Sequence, residues 1–126
     1  MNSTLRTTSE HGGFKNLVRL LDYDLKIKDG NEHAFFAQYN KIDQIKNVVV
    51  YNCGGASVGC GAFKFYDSHT AEIKRMFVLP EYRGRGIAYK ILSELESWGG
   101  ELGYSSYILE TGKKMTEAIK LYHMKK

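Results

Sequence analysis

Between Val78 and Ala88 the chain reads Val-Leu-Pro-Glu-Tyr-Arg-Gly-Arg-Gly-Ile-Ala. An apolar run is stopped by Pro80, and a turn carrying Arg83, Gly84, Arg85 and Gly86 opens directly onto the apolar periodicity of a helix. A helix start presents N–H groups without acceptors at the positive end of the dipole, and glycines let a ligand approach the main chain. With two arginines added, the turn suits a phosphate or pyrophosphate. A dinucleotide fingerprint would need a glycine near Tyr89, and a P-loop would need Gly-Lys followed by Ser or Thr; the sequence has neither. The competing reading of a bare two-glycine turn is a solvated helix cap.

The flanking residues weigh against that cap. The stretch from Ala71 through Ala88, Ala-Glu-Ile-Lys-Arg-Met-Phe-Val-Leu-Pro-Glu-Tyr-Arg-Gly-Arg-Gly-Ile-Ala, resembles the GNAT superfamily of N-acetyltransferases. That family carries an arginine or glutamine, a glycine three residues on, and a glycine or alanine two further; Arg83, Gly86 and Ala88 match. Val78 occupies the place of the family's valine five positions before the arginine. The resemblance covers most of the chain and implies transfer of an acetyl group from acetyl-CoA to a primary amine of a small molecule or protein. The amine attacks the thioester carbonyl, an oxyanion forms, and coenzyme A departs as a thiol. It also implies that main-chain groups of Arg83, Gly84, Arg85, Gly86, Ile87 and Ala88 hold the pyrophosphate. Those of Met76, Phe77 and Val78 pair with the pantetheine arm like an added strand and offer an N–H to the carbonyl.

Two side chains complete the implied chemistry. Tyr122 looks like the family's tyrosine that protonates the departing thiolate, although a tyrosine in line with Met115 and Ala118 also reads as a core aromatic. Glu72, on the strand leading to the acetyl site, is the candidate to take the proton of the acceptor amine, directly or through water. Its other reading is a solvent-facing strand carboxylate or an ion partner of Lys74, and Glu110 is the weaker alternative base. His69 reads as a turn residue and His123 as a surface residue, so no metal is expected. The family's cofactor-binding asparagine is replaced at its spacing by Met115. The family's terminal pair of strands has no counterpart in His123 to Lys126. A C-terminally short domain is expected to expose a strand edge and to form a homodimer. A CoA-binding regulatory or assembly module with impaired turnover is the alternative function.

The elements that would position these residues follow from periodicity. Leu5 to Thr8 suggests a short opening strand, with Ser9, Gly12 and Gly13 breaking the chain behind it. Phe14, Leu17, Val18 and Leu21 mark one helix; Phe35, Phe36, Tyr39 and Ile42 mark a second after the Asp29-Gly30-Asn31 turn. Two helices are therefore expected before the main sheet. Asn47 to Tyr51, Ser57 to Tyr66 and Thr70 to Leu79 predict three strands in an antiparallel meander, turning at Asn52 to Gly55 and at Asp67-Ser68. Ile87, Ile91, Leu92, Leu95 and Trp98 give the next helix, expected to stop at Gly99-Gly100. Tyr104 to Glu110 gives a strand, and Met115, Ala118, Ile119 and Tyr122 a last helix. The order predicts an α/β fold, a mixed and mainly antiparallel sheet flanked by helices.

Composition bounds the rest. At 126 residues with 43% hydrophobic and 25% charged residues, a single domain over residues 1–126 is expected, its first twelve residues partly flexible. The net charge of +4 suits an anionic ligand or a nucleic acid. Lys74, Arg75, Arg83, Arg85 and Lys90, however, are read as gathering round one anion site, and no nucleic-acid motif is present. Cys53 and Cys60 have neither disulfide-scaffold nor zinc spacing, which points to a reducing cytoplasm. The longest uncharged stretch, Asn47 to Phe63, is broken by four glycines, and the N-terminus lacks the apolar segment of a signal peptide, so neither membrane association nor secretion is expected. The acceptor pocket is not legible; Tyr23, Phe35, Phe36 and Tyr39 could line it, or could pack in the core.

Overall fold

A computed structural model describes residues 2–29 and 44–109, with residues 24–29 described as backbone only. The elements are β1 (Asn2–Thr7), α1 (Gly12–Asp29), β2 (Asn47–Cys53), β3 (Ala56–Asp67), β4 (Thr70–Val78), a single 3₁₀ turn (Pro80–Tyr82), α2 (Ile87–Glu101) and β5 (Ser106–Leu109). The five strands form one sheet in the order β1-β2-β3-β4-β5. The first four are antiparallel neighbours, whereas β5 runs parallel to β4. That parallel step needs a crossover, and α2 supplies it. The meander expected from the sequence is therefore present. Because β1 pairs with β2, however, α1 lies between strands of the sheet rather than ahead of it. The expected helix around Phe35 to Ile42 and the terminal helix around Met115 to Tyr122 lie outside the described residues.

The two helices cover opposite faces. Phe14, Leu17 and Val18 of α1 pack against Val48, Val50, Cys60, Ala62 and Phe77. Ile87, Ile91, Leu92 and Leu95 of α2 pack against Val49, Tyr51, Val58, Phe63, Ile73, Met76 and Val78. This explains why Val48 to Tyr51 is apolar without alternation: β2 is central and buried on both faces. α1 begins at Gly12, inside the expected break, because the His11 imidazole Nδ1 accepts the Phe14 N–H (3.2 Å) and so caps the first turn.

The expectation that α2 stops at Gly99-Gly100 is corrected: both glycines are helical, and the helix runs to Glu101. Its end is built one turn later. Gly103 adopts φ +98°, its N–H donates to the Gly100 carbonyl, and the Tyr104 N–H reaches back to the Gly99 carbonyl at 3.0 Å. These paired bonds satisfy the last carbonyls, and Gly103 is the residue that can adopt the left-handed conformation they require. Gly99 is instead a close-approach position. A Cβ there would press on the ring of Tyr107, whose hydroxyl donates to the Glu96 carbonyl at 2.9 Å. The last strand starts later than expected, at Ser106 instead of Tyr104, because Tyr104 belongs to the helix-ending motif; Glu110, the expected last residue, lies outside the described residues.

Candidate functional site

Pro80 ends β4 as the sequence implies, and the Tyr82 and Arg83 N–H groups close a 3₁₀ turn onto the Leu79 and Pro80 carbonyls. Gly84 and Gly86 both have positive φ, +80° and +78°. No heavy atom lies within 4 Å of a Cβ placed at either, so the two glycines border open space. Gly86 is the residue from which α2 springs, and the first helical N–H to find a carbonyl is that of Lys90, bonded to Gly86 at 3.1 Å. The N–H groups of Ile87, Ala88 and Tyr89 precede any acceptor within the helix. Arg83 lies across this turn: its Nε donates to the Val78 carbonyl at 2.8 Å while its guanidinium sits 5.5 Å from the Phe77 ring centre. Arg85 donates to the Glu81 carbonyl (3.2 Å) and stacks on Tyr82. The arginines thus brace the loop and leave it exposed and positive, a combination suited to an anion at the start of α2.

Among the described residues, one edge of the strand feeding the loop is left uncovered here. Pairing of β4 with β5 runs from Thr70–Ser106 to Ile73–Leu109, while β4 continues to Val78. The Leu79 N–H donates to Val58 of β3, so by the alternation of an extended strand the Phe77 amide faces β3 and the Met76 and Val78 amides face away from it. The side chains of Met76, Phe77 and Val78 are all buried, which leaves the backbone as what this segment can offer a ligand.

A bulge, which the sequence reading did not anticipate, sets that direction. Ala62 pairs with Lys74 and Cys60 with Phe77, so Gly61 alone opposes both Arg75 and Met76. Before it, Ala71 and Ile73 face α2; after it, Met76 and Val78 do. Gly61 makes room for the change, since a Cβ there would lie 2.5 Å from Met76 Sδ and 2.8 Å from Ile91 Cγ2. Among the described residues Arg75 is the one non-glycine with positive φ, +59°. Such a conformation costs about 1–2 kcal/mol. Its side chain runs to α1, where Nη1 donates to Asp22 Oδ1 at 2.8 Å, and Asp22 is fully buried. The expected cluster of five cations is therefore corrected. Arg75 is engaged under α1, and Lys74 lies on the α1 face beside it. Arg83, Arg85 and Lys90 are the members on the loop and first turn of α2, Lys90 lying over the Tyr51 ring. Cys60 also meets the bulge: its Sγ–H donates to the Arg75 carbonyl (3.3 Å). Burial pushes this thiol up to about 12, against the opposing pull of Arg75, so it stays a donor at neutral pH.

Glu72 is half-buried on β4, in register with Lys64 of β3 and Ile108 of β5. It lies four residues before Met76, roughly 13 Å of extended chain. The structure thus brings Met76 to Val78 together with Arg83 to Ala88 and sets Glu72 further along the same strand. Tyr122 and Glu110 lie outside the described residues. Among the described residues no group of three or more His, Cys, Asp or Glu side chains is placed to hold a metal, and no helix is long and apolar enough to cross a membrane.

Comparison with known proteins supports the family and the fold. The model of the acetyltransferase (GNAT) family matches residues 14–125. An IAA acetyltransferase of Azospirillum brasilense is 39% identical over 69 residues, 54% of this chain and 45% of that protein. The chain spans about half the length of the curated relatives it matches. Among solved structures, a candidate acyl-CoA N-acyltransferase from Klebsiella pneumoniae superposes with a TM-score of 0.76 at 23% identity, over 98% of this chain and 81% of that one. AAC(6')-Iy, an aminoglycoside N-acetyltransferase solved with a CoA-linked bisubstrate analogue, superposes at 0.67 with 18% identity, over 98% and 88%. At these identities the superpositions speak for the fold.

Proposed function

The chain belongs to the GNAT acetyltransferase family, and from that membership and the geometry of the β4–α2 loop we propose that it transfers an acetyl group from acetyl-CoA to a primary amine. The observation that carries the reading is a juxtaposition. Backbone donors on the edge of β4 that no described strand covers run straight into a loop whose two left-handed glycines border open space at the start of a helix. An extended ligand with an anionic end fits that track: a pantetheine arm along β4 and a pyrophosphate at the loop.

Acetyl-CoA brings an acyl group activated as a thioester; the rest is done by this chain. The Ile87 and Ala88 N–H groups, with those of the loop from Gly84 to Gly86, bind the pyrophosphate, helped by the charge of Arg83 and Arg85; the Arg83 N–H itself is taken by the Pro80 carbonyl, so the expected backbone role of Arg83 is corrected to a side-chain one. Arg83 also fixes the angle between strand and loop through the Val78 carbonyl. The Met76 and Val78 N–H groups are the donors available to the acyl carbonyl and the pantetheine amides. Glu72 draws the proton from the acceptor ammonium through water, given its distance along the strand. Tyr122 supplies a proton to the sulfur that leaves.

A small-molecule amine is the acceptor class we favour, with support from the aminoglycoside N-acetyltransferase that shares the fold; a protein amine is the other. The two cysteines, both free thiols, suit a reducing cytoplasm. The test is release of free thiol from acetyl-CoA in a panel of amines, aminoglycosides and peptide N-termini among them. Amine-dependent release supports transferase activity. Tight binding without release by any amine would favour the CoA-binding module.

A further inference from the structure

The buried pair between α1 and β4 lies away from the loop and is used by none of the roles above. We infer that Asp22 is a positioning residue for the acetyl-CoA site: its ion pair with Arg75 holds the β4 bulge that turns the Met76 and Val78 N–H groups toward the open edge. The inference rests on the acetyl-CoA reading of that edge.

Among the described contacts, Asp22 holds the Arg75 guanidinium at 2.8 Å and the Cys60 thiol holds its carbonyl at 3.3 Å. Between these anchors its backbone holds φ +59°, a conformation that is energetically costly for an arginine. The conformation has a defined output. Continued from Ile73 without the extra residue, alternation would put Met76 and Val78 on the α1 face and Phe77 on the α2 face, with the Met76 and Val78 amides turned into β3. The bulge reverses all of this for the three residues that border the loop.

Stability alone is a weak reason for such a pair. A fully buried carboxylate and its arginine can often be exchanged for apolar residues at no loss, and the best-attested use of buried charge pairs is to fix a register. In the sequence Asp22 follows Phe14 and Val18 at helical spacing, on the buried stripe of α1, and what it does there is reach across to the strand that carries the site.

The experiment compares the parent chain with Asp22→Asn and with the double variant Asp22→Asn/Arg75→Gly, by calorimetric titration of acetyl-CoA into each protein and by thermal melting. The neutral amide of Asp22→Asn cannot hold Arg75 as an ion partner. If the bulged conformer falls to about a tenth of the population, the Kd for acetyl-CoA rises roughly tenfold. Glycine in place of Arg75 adopts a left-handed φ without a tether. The double variant therefore returns to within about threefold of the parent, although the ion pair is gone. A merely structural pair would instead lower the melting temperature of both variants and leave Kd unmoved. Folded Asp22→Asn with the parental Kd overturns the inference, as does a double variant as weak as the single one. Should Asp22→Asn fail to fold, the double variant decides, parental affinity supporting the clamp and a tenfold loss refuting it. A parent chain that does not bind acetyl-CoA overturns the functional reading itself and the clamp with it.

Discussion

Two adjacent glycines of α2 should respond to the same substitution with opposite sign. Gly100 is helical and exposed, with no atom within 4 Å of a Cβ, so Gly100→Ala adds only helix propensity, about 1 kcal/mol. Gly99 has the same intrinsic gain available but faces Tyr107, whose hydroxyl would lie inside contact distance of the new methyl and whose Cε1 and Cζ would lie at 3.0 and 3.1 Å. Overpacking of this kind costs about 1–3 kcal/mol, and displacing the ring would also break its hydrogen bond to the Glu96 carbonyl, about 1 kcal/mol more. The net for Gly99→Ala is a loss of about 2 kcal/mol. For a chain of this size a kcal/mol moves the midpoint by about 4 °C, so the two variants should melt about 12 °C apart, one above the parent and one below. Thermal denaturation followed by circular dichroism reads this directly. In a Tyr107→Phe background the hydroxyl is absent and the penalty at Gly99 should shrink by more than half. Equal midpoints for the two alanine variants, or a Gly99→Ala midpoint above the parent's, would refute the packing of β5 against α2 described here.

Gly61→Ala should destabilise by about 1–3 kcal/mol in urea melts, because its Cβ would press on Met76, Ile91 and Leu95 where the bulge needs space. The Cys60 thiol is raised to about 12 in the folded chain from an ordinary 9.0. The unfolded chain therefore loses this proton first, and the stability held by the protonated thiol is fully present below pH 9 and falls as pH rises toward 12. Urea melts between pH 8 and 10.5 should show a shallower alkaline decline in Cys60→Ala than in the parent. Tyr122→Phe should leave acetyl-CoA affinity within about twofold and lower kcat by about 10²-fold or more, read by thiol release. Glu72→Gln should suppress the alkaline-rising limb of the rate profile with little change in acetyl-CoA Kd; an unchanged profile removes Glu72 from proton transfer.

Much of this molecule was legible because local signals agreed with one another. Pro80, the paired glycines and the onset of 3.6-residue periodicity at Ile87 define strand, turn and helix without tertiary information, and the structure follows them. The meander was legible for the same reason, from β-branched runs separated by Gly54-Gly55 and Asp67-Ser68. What was misread depended on distant partners. Gly99 looks like a helix stop, but its smallness answers to Tyr107; the true stop, Gly103, is defined by hydrogen bonds one turn away. Arg75 looks like one more cation near an anion loop, and only its pairing with Asp22 moves it to the other face. Two signals for the bulge were present: Asp22 on the apolar stripe of α1 is a charge in need of a buried partner, and Gly61 within a strand marks a close approach. Neither says which residue answers it.

If the β4–α2 loop holds acetyl-CoA through its backbone, Gly86→Glu should weaken that binding without unfolding the chain. The left-handed φ of +78° makes any side chain there cost about 1–2 kcal/mol, yet open space surrounds the position, so the variant should remain folded with a midpoint lowered by less than about 8 °C. Its carboxylate would stand about 5 Å from a diphosphate carrying about two negative charges, a repulsion of ~2 kcal/mol in a fully solvated site and ~7 kcal/mol at an effective dielectric of 20. Calorimetric titration of acetyl-CoA should therefore show parental binding weakened at least tenfold in Gly86→Glu, with Gly86→Ala, which adds the strain without the charge, in between. A folded Gly86→Glu protein that binds acetyl-CoA as the parent does would contradict the assignment of this loop.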